Sequence, residues 1–189
     1  MNVFAAIYGR RAIRDFEGRT PGRGLLTDVV TDAVQAPSSV NRQAWAFTIL
    51  TDRARLEEAA REAKAHALAN MPAQTPDELR RFLADPDFHI FYNAPALIVI
   101  SATLPDPMVA EDCCLAAQTL MLSAYARGLG TCWIGFAEGW IRSEEGKRRL
   151  GIPAGHIPVA PLIVGHPRER PAPTGRKAPV IDWIGIAPT

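Results

Sequence analysis

Hydrophobic positions along the first seventy residues change their period several times, and each change marks an element. The apolar run 3–8 ends at Arg10 and Arg11 and reads as a short helix. Leu25, Val29 and Ala33, together with Leu26, Val30 and Val34, recur four residues apart and lay one buried stripe on a second helix that stops at Pro37. Residues 45–50 are rich in aromatic and branched side chains and predict a strand, whereas 53–69, rich in Ala, Glu and Arg, predict a helix. Thr75-Pro76-Asp77-Glu78 has the form of a capping box with proline at the first helical position, opening a short helix to about Ala84.

The second half repeats this alternation with more apolar strands. Residues 95–102 form a nearly continuous apolar run, as a strand buried on both faces requires. The longest helix follows. Asp106 and Pro107 suit its cap and first turn, Glu111 and Asp112 complement its positive end, and Val109, Cys113, Ala117, Leu120 and Ala124 form its buried face until Gly128 ends it. Residues 131–136 read as a short strand or extended crossing, 140–150 as a helix closed by Gly151 and Pro153, and 157–165 as another apolar strand. From His166 the chain is rich in proline and in Arg and Lys, then turns apolar again over 180–186 around Trp183. An extended arm whose tip docks on another subunit and a frayed terminus both fit that composition. Helices and strands are mixed irregularly, with four or five strands and no hairpin turns between them, so the fold class is α+β.

Composition narrows the classes of function. A chain of 189 residues fits one domain, 1–189, with 166–189 as its extended arm. Its 48% hydrophobic and 22% charged residues exclude a disordered tail or a collagen-like repeat. Lys plus Arg number 21 against 20 Asp plus Glu, so the formal charge of +1 gives no electrostatic case for nucleic acid or an anionic membrane surface. No stretch approaches the ~18 apolar residues of a membrane span, and the run 3–8 is too short for a signal-peptide core. Cys113, Cys114 and Cys132 show neither a CxxC nor a zinc spacing, which fits a reduced, cytoplasmic setting. One of the adjacent pair on the helix is expected in the core and the other partly exposed.

Several chemistries fail on spacing. Gly128-Leu129-Gly130 is not a dinucleotide fingerprint, because Trp133 stands where the third glycine belongs. There is no phosphate loop and no GxSxG, and His66, His89, His156 and His166 are scattered without a partner four residues on, so no metal site is expected. Three features remain, each ordinary alone. Arg10, Arg11 and Arg14 place three guanidinium groups within five residues, a donor cluster for a phosphate or another planar anion. Pro37, Ser38, Ser39 and Asn41 sit in a loop dense in hydroxyl and amide groups. The crossing 130–135 has glycines that let a flat ligand approach the backbone, set against Arg176 and Lys177 in the arm.

In this order the three features resemble the nitroreductase family of flavin mononucleotide enzymes, and the resemblance covers nearly the whole chain. Arg10-Arg11-Ala12-Ile13-Arg14 matches the family's opening pattern, Pro37-Ser38-Ser39-Val40-Asn41-Arg42-Gln43-Ala44-Trp45 its P-S-S-x-N-x-Q-P-W loop, and the stretch into Gly130-Thr131-Cys132-Trp133-Ile134-Gly135 its G-L-G-T-x-W-I-G. The closing L-G-I-P, apolar strand and G-x-P appear over 150–167, and Arg176 and Lys177 match the basic residues near the C-terminus. Ala12 stands where serine is common and Ala44 where proline is usual, which removes a hydroxyl contact and loosens the turn before Trp45.

The resemblance implies a homodimer with FMN at two sites on the interface and a central, mostly antiparallel sheet flanked by helices. Arg10, Arg11, Arg176 and Lys177 would bind the phosphate, and Ala12 would offer its backbone amide. Pro37, Ser38, Ser39 and Asn41 from the partner chain would line the ribityl and ring. Arg14 would sit near N1 and O2, and the backbone amide of Ile134 or Gly135 would bond N5 or O4, so no side chain need act as acid or base. NADH or NADPH would reduce the flavin, and a nitroaromatic, quinone or similar small electron-poor acceptor would reoxidise it in a ping-pong cycle. The same cofactor residues would serve a flavin-dependent oxidase or dehydrogenase of a specific metabolite, or a flavin-binding or storage protein with little turnover. An interaction protein without cofactor would leave the Arg cluster and the Pro37 loop unexplained. Residues 66–93, which would shape the substrate pocket, match no motif.

Overall fold

The computed structural model of the protein describes residues 2–172 and 174–185. Four strands, β1 (Trp45–Leu50), β2 (Ala96–Ala102), β3 (Gly130–Trp133) and β4 (Ile157–Gly165), form one sheet in the order β1-β2-β4-β3, antiparallel at every pairing. Strand β2 runs in register against β1 from Trp45 opposite Ala102 to Leu50 opposite Leu97, and every residue of β2 is buried. Helices cover both faces, so β2 and β4 lose the polar alternation of a one-sided sheet. On one face Leu97, Val99 and Ile163 pack with Leu56, Ala60, Ala63 and Leu83; on the other Ile98, Ile100 and Leu162 pack with Val29, Cys113, Ala117 and Leu120.

The first face is covered by α3 (Arg53–Ala69), α4 (Asp77–Ala84), α6 (Glu138–Arg142) and α7 (Glu144–Leu150), the second by α2 (Arg23–Ala33) and α5 (Pro107–Ala126); α1 (Val3–Gly9) packs on α5. The side chain of Asp106 caps α5 by accepting the Met108 N–H at 3.0 Å. Past its end Gly128 turns the chain at φ 85°. Cys113, Ala116, Ala117 and Ala124 on α5 are small, which lets it lie close on the sheet. Cys113 is in the core and Cys114 exposed, as expected.

Three boundaries differ from the sequence reading. The expected helix 140–150 is two helices. Ser143 is extended, and its hydroxyl donates to the Trp140 carbonyl at 2.6 Å and accepts the Gly146 N–H at 3.0 Å. A Cβ at Gly146 would lie 2.0 Å from the Trp140 carbonyl oxygen, so glycine there permits the break. Pro76, not Thr75, takes the cap position of α4, and no side chain caps it. The crossing 131–136 is extended only to Trp133 and then coils into a 3-10 turn, Gly135–Ala137.

The start of the arm is anchored. Glu17 donates its N–H to the His166 carbonyl at 2.9 Å, Arg168 donates its own to Asp15 at 3.2 Å, and Phe16 bridges Pro167. Beyond Pro171 its described residues are exposed, with Val180, Trp183 and Ile184 at 93, 70 and 97%, although Arg176 stays within electrostatic range of Arg10. Ile186, the expected end of the apolar tip, lies outside the described residues, as do 187–189. Among the described residues no helix is long and apolar enough to cross a membrane, and no His, Cys, Asp and Glu side chains cluster as a metal site.

Candidate functional site

The chain after α1 lies along the free edge of β3. Ala12 makes a parallel bridge with Thr131, and the Ile13 N–H donates to the Thr131 carbonyl at 3.0 Å. Gly130 makes the approach possible, since a Cβ there would stand 2.6 Å from Ile13 Cγ1. This short pairing brings Arg10, Arg11 and Arg14 to the rim at the edge of β3, where Arg10 and Arg11 line a small pocket with Ile13 and Tyr125 and Arg14 faces a separate, larger one; Arg176 of the arm lies within electrostatic range of Arg10. Burial pushes the Arg10 guanidinium below its ordinary pKa, and the like charges of Arg11 and Arg176 push it the same way. Arg11 donates through Nη1 to the carbonyls of Tyr8 and Arg10 at 2.9 and 2.6 Å, while its buried Nε has no partner among the described residues. Converging cations and an orphaned buried donor are the complement of an anion such as a phosphate.

A cavity of about 420 Å³ opens beside this rim. Arg14 is its one charged lining residue, and Tyr92, Trp133 and Phe136 supply aromatic walls. Cys132 also lines it, within electrostatic range of both Arg10 and Arg14; burial pushes its thiol up against their opposing pull, so it is kept neutral. Gly135 borders the cavity with open space where a Cβ would stand, so a flat ring can approach its backbone. Ile134 and Gly135 were equivalent candidates as backbone donors, and the structure separates them. The Ile134 N–H is taken by the Pro161 carbonyl at 2.9 Å, which leaves Gly135.

The remaining expected residues stand elsewhere. Pro37, Ser38, Ser39 and Asn41 lie at the N-terminal end of α5, where Val40, Asn41 and Gln43 all have positive φ, and they do not line the cavity. Asp112 holds them there. Expected as a complement to the helix dipole, it is also buried, and its carboxylate accepts the Ser39 N–H. Lys177 is exposed beside Arg176 and is not among the groups acting on Arg10. Phe88 and Tyr92 do line the cavity, from the stretch that matched no motif. Their aromatic character was the available signal, but nothing in the spacing placed them over β3.

Comparison with known proteins places this geometry. The family model described as the Nitroreductase family matches residues 7–166. A curated protein of Methanothermobacter thermautotrophicus, named "Putative NADH dehydrogenase/NAD(P)H nitroreductase", is 27% identical over 176 residues, 90% of this chain and 80% of that protein. The crystal structure of a nitroreductase with bound FMN from Desulfitobacterium hafniense superposes with a TM-score of 0.83 at 28% identity, covering 97% of this chain and 99% of that one. An iodotyrosine deiodinase bound to FMN and 3-iodo-L-tyrosine shares the fold, with a TM-score of 0.78 at 21% identity over 98% of this chain and all of that one (100%).

Proposed function

The chain belongs to the nitroreductase family, and from that membership we propose that it is an FMN-dependent oxidoreductase drawing electrons from NADH or NADPH and passing them to nitroaromatics, quinones or similar electron-poor rings. The observation that carries this reading is the convergence of Arg11 and Arg176 on Arg10, with the orphaned Arg11 Nε, next to an aromatic-walled cavity bordered by Arg14 and Gly135, whose Cys132 is within electrostatic range of both Arg10 and Arg14. When bound, FMN supplies two-electron redox chemistry at N5 of its ring.

The protein's own groups bind, orient and stabilise. Arg10, Arg11 and Arg176, with Lys177 beside them, would hold the phosphate, whose negative charge would offset the repulsion that, after burial, depresses Arg10. The backbone of Ala12 lies on the same rim. Arg14, the charged residue among those described that line the cavity, would supply positive charge near the N1 and O2 edge of a bound flavin and so favour its reduced form. Gly135 offers its backbone amide to the N5 and O4 edge in place of Ile134. Donor and acceptor occupy the one cavity in turn, so the kinetics are ping-pong.

The active form is a homodimer in the cytoplasm. Pro37, Ser38, Ser39 and Asn41 lie apart from this chain's own Arg cluster and serve the partner's flavin. Val3, Phe4 and Ile7 of α1 are exposed together with Val180, Trp183 and Ile184 of the arm, an apolar surface that a second copy covers. Residues 1–189 act as one flavin-binding unit, with 166–189 as its arm.

The test is the visible spectrum of the purified protein with added FMN, before and after anaerobic NADH or NADPH, then with menadione. Flavin peaks that bleach and return support the reading and identify the donor. Bound flavin that never bleaches favours a storage role, and a protein that takes up no flavin overturns the assignment.

A further inference from the structure

Residues 88–93 cross the aromatic side of the cavity in a backbone that few side chains tolerate. Tyr92 and Asn93, neither of them glycine, both have φ of 52°, the left-handed region. Such a conformation persists only where its surroundings over-determine it. Here one imidazole does so. His89 Nδ1 accepts the Phe91 N–H at 3.1 Å and the Asn93 N–H at 3.2 Å, while the His89 carbonyl accepts the Tyr92 N–H at 2.8 Å. Two N–H groups aimed at one ring nitrogen require it to be unprotonated. The ring hydrogen therefore sits on Nε2, which faces Glu57 Oε2 at 3.2 Å. Glu57 on α3 thus fixes the tautomer, the tautomer fixes the turn, and the turn fixes Tyr92.

The consequence is on the cavity side. Tyr92 lines the cavity, meets Phe88 edge to face with centroids 5.4 Å apart, and has the Arg14 guanidinium 5.8 Å from its ring centroid. Its electron-rich ring is positioned to pack against an electron-poor planar ring beside the positive charge of Arg14. We infer that Tyr92 is a specificity-determining residue for the aromatic acceptor, and that His89, oriented by Glu57, is its positioning residue. This rests on the functional reading above and extends it to the acceptor side of the site.

Asparagine is the informative replacement at 89, because its Oδ1 occupies the place of Nδ1 and can accept the same N–H groups without an ionisable ring. The experiment compares FMN-loaded wild type, H89A, H89N, Y92A and H89A/Y92A, with menadione as acceptor. Hydrogen exchange of the Phe91 and Asn93 amides is followed by NMR in parallel. Y92A and H89A are each expected to raise the KM for menadione by about tenfold, with kcat and FMN affinity within about twofold, H89N to stay near wild type, and the double variant to be no worse than Y92A. The two amides exchange slowly in wild type and H89N and fast in H89A. An unchanged KM in Y92A overturns the role of Tyr92; unchanged exchange in H89A, or additive effects in the double variant, overturns that of His89. Failure to bind FMN overturns the functional reading instead, and the exchange comparison still decides whether His89 holds the turn.

Discussion

Both carboxylate oxygens of Asp112 lie within hydrogen-bonding distance of the Ser39 backbone nitrogen, at 3.0 and 3.2 Å, joining positions 73 apart in sequence. A buried carboxylate is costly unless a donor satisfies it, so its presence inside α5 needs a reason, and the Pro37 to Asn41 loop supplies one. That loop holds left-handed backbone at Val40 and Asn41, which the contact from α5 helps to fix. If the loop serves the partner's flavin as proposed, replacing Asp112 by Ala is expected to weaken FMN binding about tenfold in a fluorescence titration, because the loop loses its anchor. Asp112→Asn keeps an acceptor oxygen and should recover most of the affinity; equal losses in both variants would show that the charge, not the tether, matters.

The phosphate reading of the Arg cluster separates two ligands that differ only in that group. Arg176→Ala removes one of the like charges acting on Arg10 and one donor to the phosphate. It should lower FMN affinity by about tenfold, leave riboflavin affinity nearly unchanged, and flatten the salt dependence of FMN binding. Parallel titrations of both flavins at two salt concentrations check this, and an equal loss for riboflavin would place Arg176 on the ring instead.

Periodicity and propensity made most of this architecture legible. Strands β1, β2 and β4 and the long helices α3 and α5 follow from runs of clear composition or period, because β2 and β4 are apolar throughout and α5 carries a stripe of small residues, whereas 131–136 read equally as a strand or an extended crossing. The break at Ser143 was not legible. It depends on one hydroxyl serving two helices and on the contact of Gly146 with the Trp140 carbonyl, which are tertiary facts. At the candidate site, motif order pointed to Arg10, Arg11, Arg14 and the 130–135 crossing, which the fold brings close to one another. It could not choose between Ile134 and Gly135, since the sheet bond to Pro161 lies outside any local pattern. His89 and Tyr92 were hidden for the same reason: their roles arise from a left-handed turn, which carries no periodic signal in side chains other than glycine.

Gly130 and Gly135 are five residues apart and should fail differently. A methyl at 130 would stand 2.6 Å from Ile13 Cγ1, whereas a Cβ at 135 meets no atom of the protein within 4 Å. Gly130→Ala is therefore expected to lower Tm, with an overpacking cost of about 1–3 kcal/mol, and to disturb the Ala12–Thr131 pairing. Gly135→Val should leave the Tm of the flavin-free protein nearly unchanged and reduce FMN affinity by tenfold or so, because the proposed site of the flavin ring borders that open space. Thermal melts with and without FMN distinguish the two, and a Gly135→Val protein that binds flavin normally would move the ring away from this crossing.

Among the described residues the arm's hydrogen bonds to the rest of the chain lie at its base, and Val180, Trp183 and Ile184 are exposed. Truncation after Pro171 removes Arg176, Lys177 and Trp183 together while sparing the Arg168 contacts to Asp15 and Phe16. The expected result is a folded protein with weaker self-association in analytical ultracentrifugation and little bound FMN. A stable, yellow truncated dimer would contradict the arm's part in both.

Asp32 links α2 to α5 by accepting the Ser123 hydroxyl and Arg127 Nη2, the latter at 2.9 Å. The Ser123 hydrogen bond, followed by that of Arg127, holds its carboxyl below the ordinary value, with partial burial opposing. A carboxylate depressed in the folded state adds stability that is complete above its ordinary pKa and is lost as pH falls through the lower folded value. The window therefore lies on the acid side, below about pH 4. Because 41% of the side chain is exposed, solvent screening limits the contribution to about 1 kcal/mol or less. Asp32→Asn should be slightly less stable than wild type in urea unfolding at neutral pH, and the two curves should converge as pH falls toward about 3. A constant gap across that range would assign the effect to packing between α2 and α5 rather than to the charge on Asp32.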